Sequence, residues 1–332
     1  MSEANRKLKW GVLGAARINR RFLPGLKAAH NAELVAIASR DEDKARQAAT
    51  QWGAPVAYGS YEALLADPQI EAVYIPLPNS LHIEWATKAA QAGKHVLSEK
   101  PLALQPEEIG PLEAAARQHN VNVMEAFMYR FHPQQARVRE LLAAGAIGEP
   151  RVVRGTFAFV MATDTPNIRT KPGLGGGATW DVGCYAVNVS RWMFGKEPLS
   201  AYAQASLKDG VDFSVAAVLD FGEGCRAVLD YGLDYGRRSF YEIIGTKGAL
   251  SVENMWQEPG PPATVYLRDD KGLTTEEFPP MNHFQLEAEA FSRAALDGQP
   301  APYPLSDSAA NSRACVALLQ SIREGKAVSL AV

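Results

Sequence analysis

Between Leu8 and Ala126 the chain switches repeatedly between short apolar runs and stretches with helical spacing, and few folds accept that pattern. The runs that begin at Leu8, Glu33, Glu71, His95 and Val121 have the length and the β-branched content of buried strands. Helices are expected over 41–52, 61–66, 81–92 and 106–118, with Ser60 able to cap the second and Gly93 stopping the third. Strand and helix in alternation build a parallel sheet covered on both faces, so this part reads as an α/β, doubly wound Rossmann-type domain.

The first strand runs into Gly14-Ala15-Ala16-Arg17-Ile18-Asn19, a degraded dinucleotide fingerprint in which Ala16 and Asn19 stand where the second and third glycines would. The first glycine makes a tight turn, and a small second residue lets backbone approach a pyrophosphate at a helix N-terminus. An ordinary strand-to-helix turn is the plainer reading of so short a motif. The second strand, starting roughly 20 residues on as the fingerprint requires, supplies context. It ends in Ser39-Arg40-Asp41 and not in an acid that would hold a ribose 2′-hydroxyl. Arginine suits a 2′-phosphate, with Ser39 as a second hydrogen-bond partner, which points to NADP, with NAD as the alternative. The third strand enters a proline-stiffened loop holding Pro76, Leu77 and Asn79; His82, at the next helix start, reads as a capping or packing residue and not as a catalyst.

The fourth strand ends on Glu99-Lys100-Pro101, which is hard to explain as packing. Lysine is among the least often buried residues, yet it stands here where an α/β sheet delivers its functional groups. Pro101 bars a helix at Lys100 and narrows its backbone to extended conformations. A solvated Glu-Lys pair in a loop is the bland alternative.

After residue 127 the pattern changes. An aromatic crossover, 124–133, leads into a helix over 133–144. Strand-like runs then follow at 151–161, 199–207, 211–221, 226–233, 238–244, 249–252 and 263–267, separated by turn residues such as Asp209-Gly210. This is the signature of a large, mostly antiparallel sheet. Helices over 282–296 and 306–324 close the chain, and the expected domains are 1–127, for dinucleotide, and 128–332, for substrate and oligomerisation. Thirty-four basic and 37 acidic residues leave a net charge of −3 with no like-charged run, which argues against nucleic acid or an anionic membrane as partner. With no apolar run of membrane length or export signal, the expected location is the cytoplasm. Cys184, Cys225 and Cys315 lack metal-binding spacing and read as reduced thiols; no metal is expected.

Within the strand-rich half lies Leu174-Gly-Gly-Gly-Ala-Thr-Trp-Asp-Val-Gly-Cys-Tyr185, three glycines followed by a helix that Thr179 could cap. Asp181, Tyr185 and Asn188 are spaced by four and three, so an α-helix puts them on one face. Such a stripe is costly to bury unless hydrogen-bonded, and the Trp180, Val182, Val187 and Trp192 around it do not look solvated. Gly183 weakens the helix by up to about 1 kcal/mol relative to alanine, which suggests close approach of a ligand or another backbone. A phenol of pKa about 10 becomes a usable base when an ammonium group favours phenolate. Tyr185 could then take a hydroxyl proton while the carbon loses hydride, with Asp181 orienting the substrate or anchoring Lys100.

Gly93-Lys-His-Val-Leu-Ser-Glu-Lys-Pro101, the Gly14 turn and 175–185 together resemble the glucose-fructose oxidoreductase / inositol dehydrogenase / rhizopine catabolism (Gfo/Idh/MocA) superfamily, nearly end to end and in family order. The resemblance implies a Rossmann domain, a C-terminal α/β domain whose open sheet pairs subunits into a homodimer or homotetramer, and a catalytic Lys100, often followed by a cis proline. Asp181 and Tyr185 match the family's aspartate and its histidine-or-tyrosine acid/base. Tyr185 together with 124–133 and Asn167-Ile-Arg169 is similar to the branch of NADP-dependent aldose dehydrogenases, glucose-fructose oxidoreductases and dimeric dihydrodiol dehydrogenases. The expected cofactor contacts are Gly14, Ala15, Ala16, Arg17, Ile18, Ser39, Arg40, Pro76, Leu77, Asn79, His82, Glu99 and Lys100. The expected substrate contacts are Lys100, Arg169, Asp181 and Tyr185. The implied activity is NADP-dependent oxidation of an aldose at C1. Its rivals are a trans-dihydrodiol dehydrogenase, a keto-sugar reductase and, from another class, a non-catalytic nucleotide-binding regulator.

Overall fold

In the computed structural model, which describes residues 6–162, 167–253, 255 and 262–330, the apolar runs of the N-terminal part do form one sheet. The order is β1 (Leu8–Leu13), α1 (Asn19–Ala28), β2 (Ala32–Ala38), α2 (Glu42–Trp52), β3 (Val56–Tyr58), α3 (Tyr61–Ala66), β4 (Ala72–Ile75), α4 (His82–Gln91), β5 (His95–Glu99), α5 (Ile109–Gln118) and β6 (Val123–Ala126). The strands pair parallel in the order β3-β2-β1-β4-β5-β6. Every residue of β4 is buried, as a parallel strand covered on both faces must be. The order reverses between β1 and β4, and ligands of such sheets bind outside the carboxyl ends at that point. Ser60 caps α3 by accepting from the Ala63 amide at 3.1 Å. Gly93, at φ +74°, ends the turn after α4 in the left-handed conformation that glycine tolerates. The edge strand β3 was not anticipated, because three half-buried residues are too few to show a period.

The second sheet follows α6 (Pro133–Ala143) and is built from β7 (Pro150–Ala158), then, after α7 (Cys184–Phe194), β8 (Ser200–Lys208), β9 (Val211–Asp220), β10 (Arg226–Gly232), β11 (Arg238–Gly245), β12 (Gly248–Glu253), β13 (Ala263–Asp269) and β14 (Gly272–Phe278). Helices α8 (His283–Leu296) and α9 (Leu305–Glu324) and the short β15 (Val328–Ser329) close the chain. The nine strands run β14-β13-β12-β11-β7-β10-β9-β8-β15, with every pair antiparallel except β10 with β7. Neither edge strand was legible: β14 carries Thr-Thr-Glu-Glu in place of an apolar alternation, a polarity that protects an open edge, and β15 has two residues.

Backbone contacts group the chain into one unit of Met1–Phe131 with Asn282–Ala309 and a second of His132–Met281 with Ala310–Val332. The return of 282–309 to the first unit is not described by a single cut near residue 127. Its cause is packing. The Trp10 indole of β1 donates to Ser292 Oγ at 3.1 Å and meets the Phe291 ring at 5.5 Å. Gly25 of α1 lies so close to α8 that an added Cβ would stand 2.7 Å from the Gln285 amide nitrogen. Phe22 stacks on Tyr74 at 3.7 Å and meets Phe284 edge-on, which completes an aromatic layer under the sheet.

Candidate active site

The Gly14 turn sits at the carboxyl end of β1 with φ +130°, and its amide donates to Ala38 O at 2.9 Å. A Cβ at Gly14 would press on Leu77 Cδ2 at 3.2 Å, so the turn and the loop after β4 depend on this glycine. Asn19, in place of the third glycine, is buried and donates from Nδ2 to Gly14 O at 2.9 Å, tying the turn shut from the helix side. No side chain caps α1 and no acid occupies its first turn. The amides around Ala15, Ala16, Arg17 and Ile18 therefore suit an anionic diphosphate, the donor set the fingerprint needs.

At the end of β2, Asp41 is engaged as the cap of α2, accepting from the Lys44 amide at 3.1 Å. Ser39 Oγ accepts from the Asp41 amide at 3.3 Å. Burial raises the Tyr61 phenol above its ordinary value, opposed by the Arg40 guanidinium hydrogen-bonded to it. The strand end thus presents a cation and a hydroxyl with its acid already engaged, a set that fits a 2′-phosphate.

The Lys100–Pro101 peptide is cis. Three side chains grip the backbone and the residues around it. Tyr74 donates to Glu99 Oε1 at 2.5 Å. Glu125, near the end of β6, accepts from the Leu102 amide at 2.9 Å. His82 is fully buried, with Nδ1 2.7 Å from Pro101 O and Nε2 2.7 Å from Leu77 O. Two carbonyls would favour an imidazolium, but burial outweighs them and, with the Lys100 ammonium, pushes the pKa down to about 4, so the ring is neutral at pH 7. His82 was expected among the cofactor contacts. With no exposure and both ring nitrogens against backbone carbonyls, it fastens the loop of Pro76, Leu77 and Asn79 to the lysine turn instead. Tyr74 and Glu125 were not singled out, although a lone carboxylate at the end of an apolar strand was the available signal.

In the second unit, Thr179–Gly183 forms a π-helical turn ahead of α7, a feature that often marks functional positions. Thr179 is not the cap. Its amide donates to Asp212 Oδ2 of β9 at 2.6 Å, while its hydroxyl meets Tyr231 OH at 3.1 Å. Gly177, at φ +116°, leaves the space that the Asp212 carboxylate fills, since a Cβ there would sit 2.1 Å from Oδ1. Gly183 is likewise explained by a side chain and not by a ligand or backbone: a Cβ would stand 2.6 Å from the Tyr231 ring.

The stripe expected of Asp181, Tyr185 and Asn188 is divided. Asp181 pairs with Arg169, whose Nε donates to Oδ2 at 2.5 Å. Tyr185 meets the Phe157 ring edge-on at 5.5 Å, and Phe159, 6.4 Å from Phe157, has the Arg169 guanidinium 5.8 Å from its centroid. Asn188 is wholly buried and donates to Asn311, which also receives Arg191 and holds the Cys184 carbonyl. The wider π turn separates Asp181 from the regular helical stripe that α7 continues. A phenol beside aromatic rings and an arginine–aspartate pair can hold a polyhydroxylated ring by its apolar faces and its hydroxyls, and can exchange a proton with it. Among the described residues no acid, histidine and cysteine cluster could hold a metal, and Cys184, Cys225 and Cys315 are buried thiols outside any disulfide. No helix is long and apolar enough to cross a membrane among the described residues.

The family described as "Oxidoreductase family, NAD-binding Rossmann fold" matches residues 8–127, and the "GFO/IDH/MocA C-terminal domain" matches 135–251. The chain is 38% identical over 327 residues to D-xylose 1-dehydrogenase (NADP(+)) 2 of Haloferax volcanii, covering 97% of this chain and all of that one. Among solved structures it resembles KijD10, a 3-ketoreductase from Actinomadura kijaniata in complex with NADP and TDP-benzene, at 31% identity and TM-score 0.88, covering 95% and 98% of the two chains. The aldose-aldose oxidoreductase from Caulobacter crescentus is similar at 26% identity and TM-score 0.90, covering 98% and 100%.

Proposed function

The chain belongs to the GFO/IDH/MocA oxidoreductase family, and from that premise we propose that it is an NADP-dependent enzyme that oxidises an aldose at its anomeric hydroxyl. The observation that carries the reading is Lys100, partly exposed on a turn whose backbone is held by His82 and Glu125. Ordering that much structure around one lysine costs conformational entropy, which a function for its ammonium would offset. The first unit takes the cofactor. Ala15, Ala16, Arg17 and Ile18 hold the diphosphate, Ser39 and Arg40 the 2′-phosphate, and Pro76, Leu77, Asn79 and Glu99 line the remainder. When bound, NADP accepts or supplies the hydride. Tyr185 takes the proton of the substrate hydroxyl at its phenolic oxygen and returns it in the reverse direction, assisted by the charge of Lys100. Asp181 and Arg169 orient the hydroxyls. The xylose dehydrogenase and aldose-aldose oxidoreductase relatives favour an aldose.

Reduction of a keto-sugar is the second reading, favoured by the 3-ketoreductase likeness; trans-dihydrodiol oxidation needs the same residues. Transfer of deuterium from a C1-deuterated aldose to NADP tests the proposal. Labelled NADPH supports it, and label transfer only from a dihydrodiol, or only into a keto-sugar, overturns it. We also propose a cytoplasmic homodimer or homotetramer through the C-terminal sheet. Tyr202, Val218 and Val228 form an exposed row across β8, β9 and β10, the kind of apolar patch that an interface covers. A monomer mass by light scattering, or fractionation outside the cytoplasm, would count against these.

A further inference from the structure

We infer that Glu125 is a positioning residue for Lys100, acting by holding the amide of Leu102. The inference rests on the reading that Lys100 serves the reaction. Glu125 is 3% exposed and lies beside β5, opposite Ser98 in the strand register. A buried carboxylate costs several kcal/mol more than an apolar side chain of the same volume would, and its neighbours Val123, Met124 and Ala126 show how readily this strand accepts apolar residues. What the carboxylate provides is an acceptor for Leu102 N at 2.9 Å, two residues after Lys100. His82 faces Pro101 O, one residue after it. The chain leaving Lys100 is therefore fixed at two consecutive residues, and the origin of the lysine side chain with it.

The main chain at Glu125 is itself held by the segment that returns to the first unit. Tyr303 donates its hydroxyl to Glu125 O and accepts from Phe127 N at 3.1 Å. Arg130 lies 4.5 Å over the Tyr303 ring and pairs with Asp307 at 2.8 Å. Ser308, Asp307, Arg130 and Tyr303 are among the polar groups near Glu125, besides the Leu102 amide. Tyr303, Asp307 and Ser308 all come from the stretch that follows α8, so the returning segment also supplies polar groups beside Glu125.

The test is a double-mutant cycle with a volume-conserving change, Glu125→Met, and the acceptor-retaining Glu125→Gln, each alone and in a Lys100→Ala background. We expect Glu125→Met to lower kcat about 100-fold, the scale of a 1 Å misplacement, while the KM for NADP moves less than threefold. Glu125→Gln should stay within threefold of the parent. In the Lys100→Ala background Glu125→Met should cost less than threefold more, since effects that act through one group do not add. Equal losses in both backgrounds, or a glutamine variant as poor as methionine, would overturn the inference. Hydrogen exchange at the Leu102 amide provides a readout independent of turnover. It should accelerate at least tenfold in Glu125→Met and remain slow in Glu125→Gln. If Lys100→Ala keeps full activity, the proposed function fails while the exchange result still decides whether Glu125 holds the turn. Glu125→Leu replaces the methionine variant should that one not fold.

Discussion

Arg169 Nε donates to Asp181 Oδ2 within the second unit, so the two side chains expected to hold substrate also hold each other. The pair is partly exposed, at 35% and 13% of the two side chains, and can open toward a ligand hydroxyl without stranding a fully buried charge. Its planar, Nε-directed geometry is specific to arginine.

Arg169→Ala should therefore raise the aldose KM by about tenfold, equivalent to about 1.4 kcal/mol, and leave the KM for NADP unchanged. Arg169→Lys should recover little of the loss. Initial rates against both substrates check this, and a KM change confined to NADP would contradict it.

Arg40→Ala should raise the KM for NADP far more than that for NAD, because it removes the cation at a strand end whose acid already caps α2. Equal effects on the two cofactors would remove the physical basis for the NADP preference.

Burial holds the Glu125 carboxyl up at about 7, from 4.5, against the Leu102 amide and Ser308. The folded state then keeps a proton that the unfolded chain has lost, so stability from this group is full below pH 4.5 and declines as pH rises to about 7. The loss is on the order of 3 kcal/mol. His82, lowered to about 4 from 6.5, works in the opposite sense, and stability from it is lost as pH falls through that window. The two nearly cancel between pH 4.5 and 6.5. Glu125→Gln should expose a stability that climbs with pH over this range in urea titrations; a slope like the parent's would contradict the burial of an ionisable Glu125.

Gly183→Ala should destabilise the protein by about 1–3 kcal/mol, because the added methyl meets the fully buried Tyr231 ring. A lower unfolding temperature together with reduced turnover is expected, since the π turn leads into Tyr185. An unchanged unfolding temperature would show that the two segments have more room than their packing indicates.

What could be read in advance depended on range. Gly14, Gly93 and the strand leading to Lys100 are local signals, fixed by positive φ or by the apolar runs around them. The alternation that predicts the parallel sheet is equally local, which is why the sheet and its helices were legible. Asp212 capping the helix ahead of Tyr185, and Tyr303 reaching back to Glu125, join residues 33 and 178 positions apart. Spacing along the chain carries no trace of such pairings. Asn188 was misread for a related reason: its helical spacing was right, but a wider π turn separates it from Asp181, and Asn311 comes from a distant helix.

Tyr185 is the group proposed to transfer the proton in oxidation of an aldose. The most direct measurement is initial-rate NADPH formation over a panel of aldoses and trans-dihydrodiols, beside Tyr185→Phe. Turnover of an aldose and a fall of roughly 100- to 10,000-fold in the variant are expected, with the KM for NADP unchanged. An aldose turned over equally well by Tyr185→Phe would contradict the assigned acid/base, and a panel that yields no NADPH from any aldose would contradict the assigned reaction.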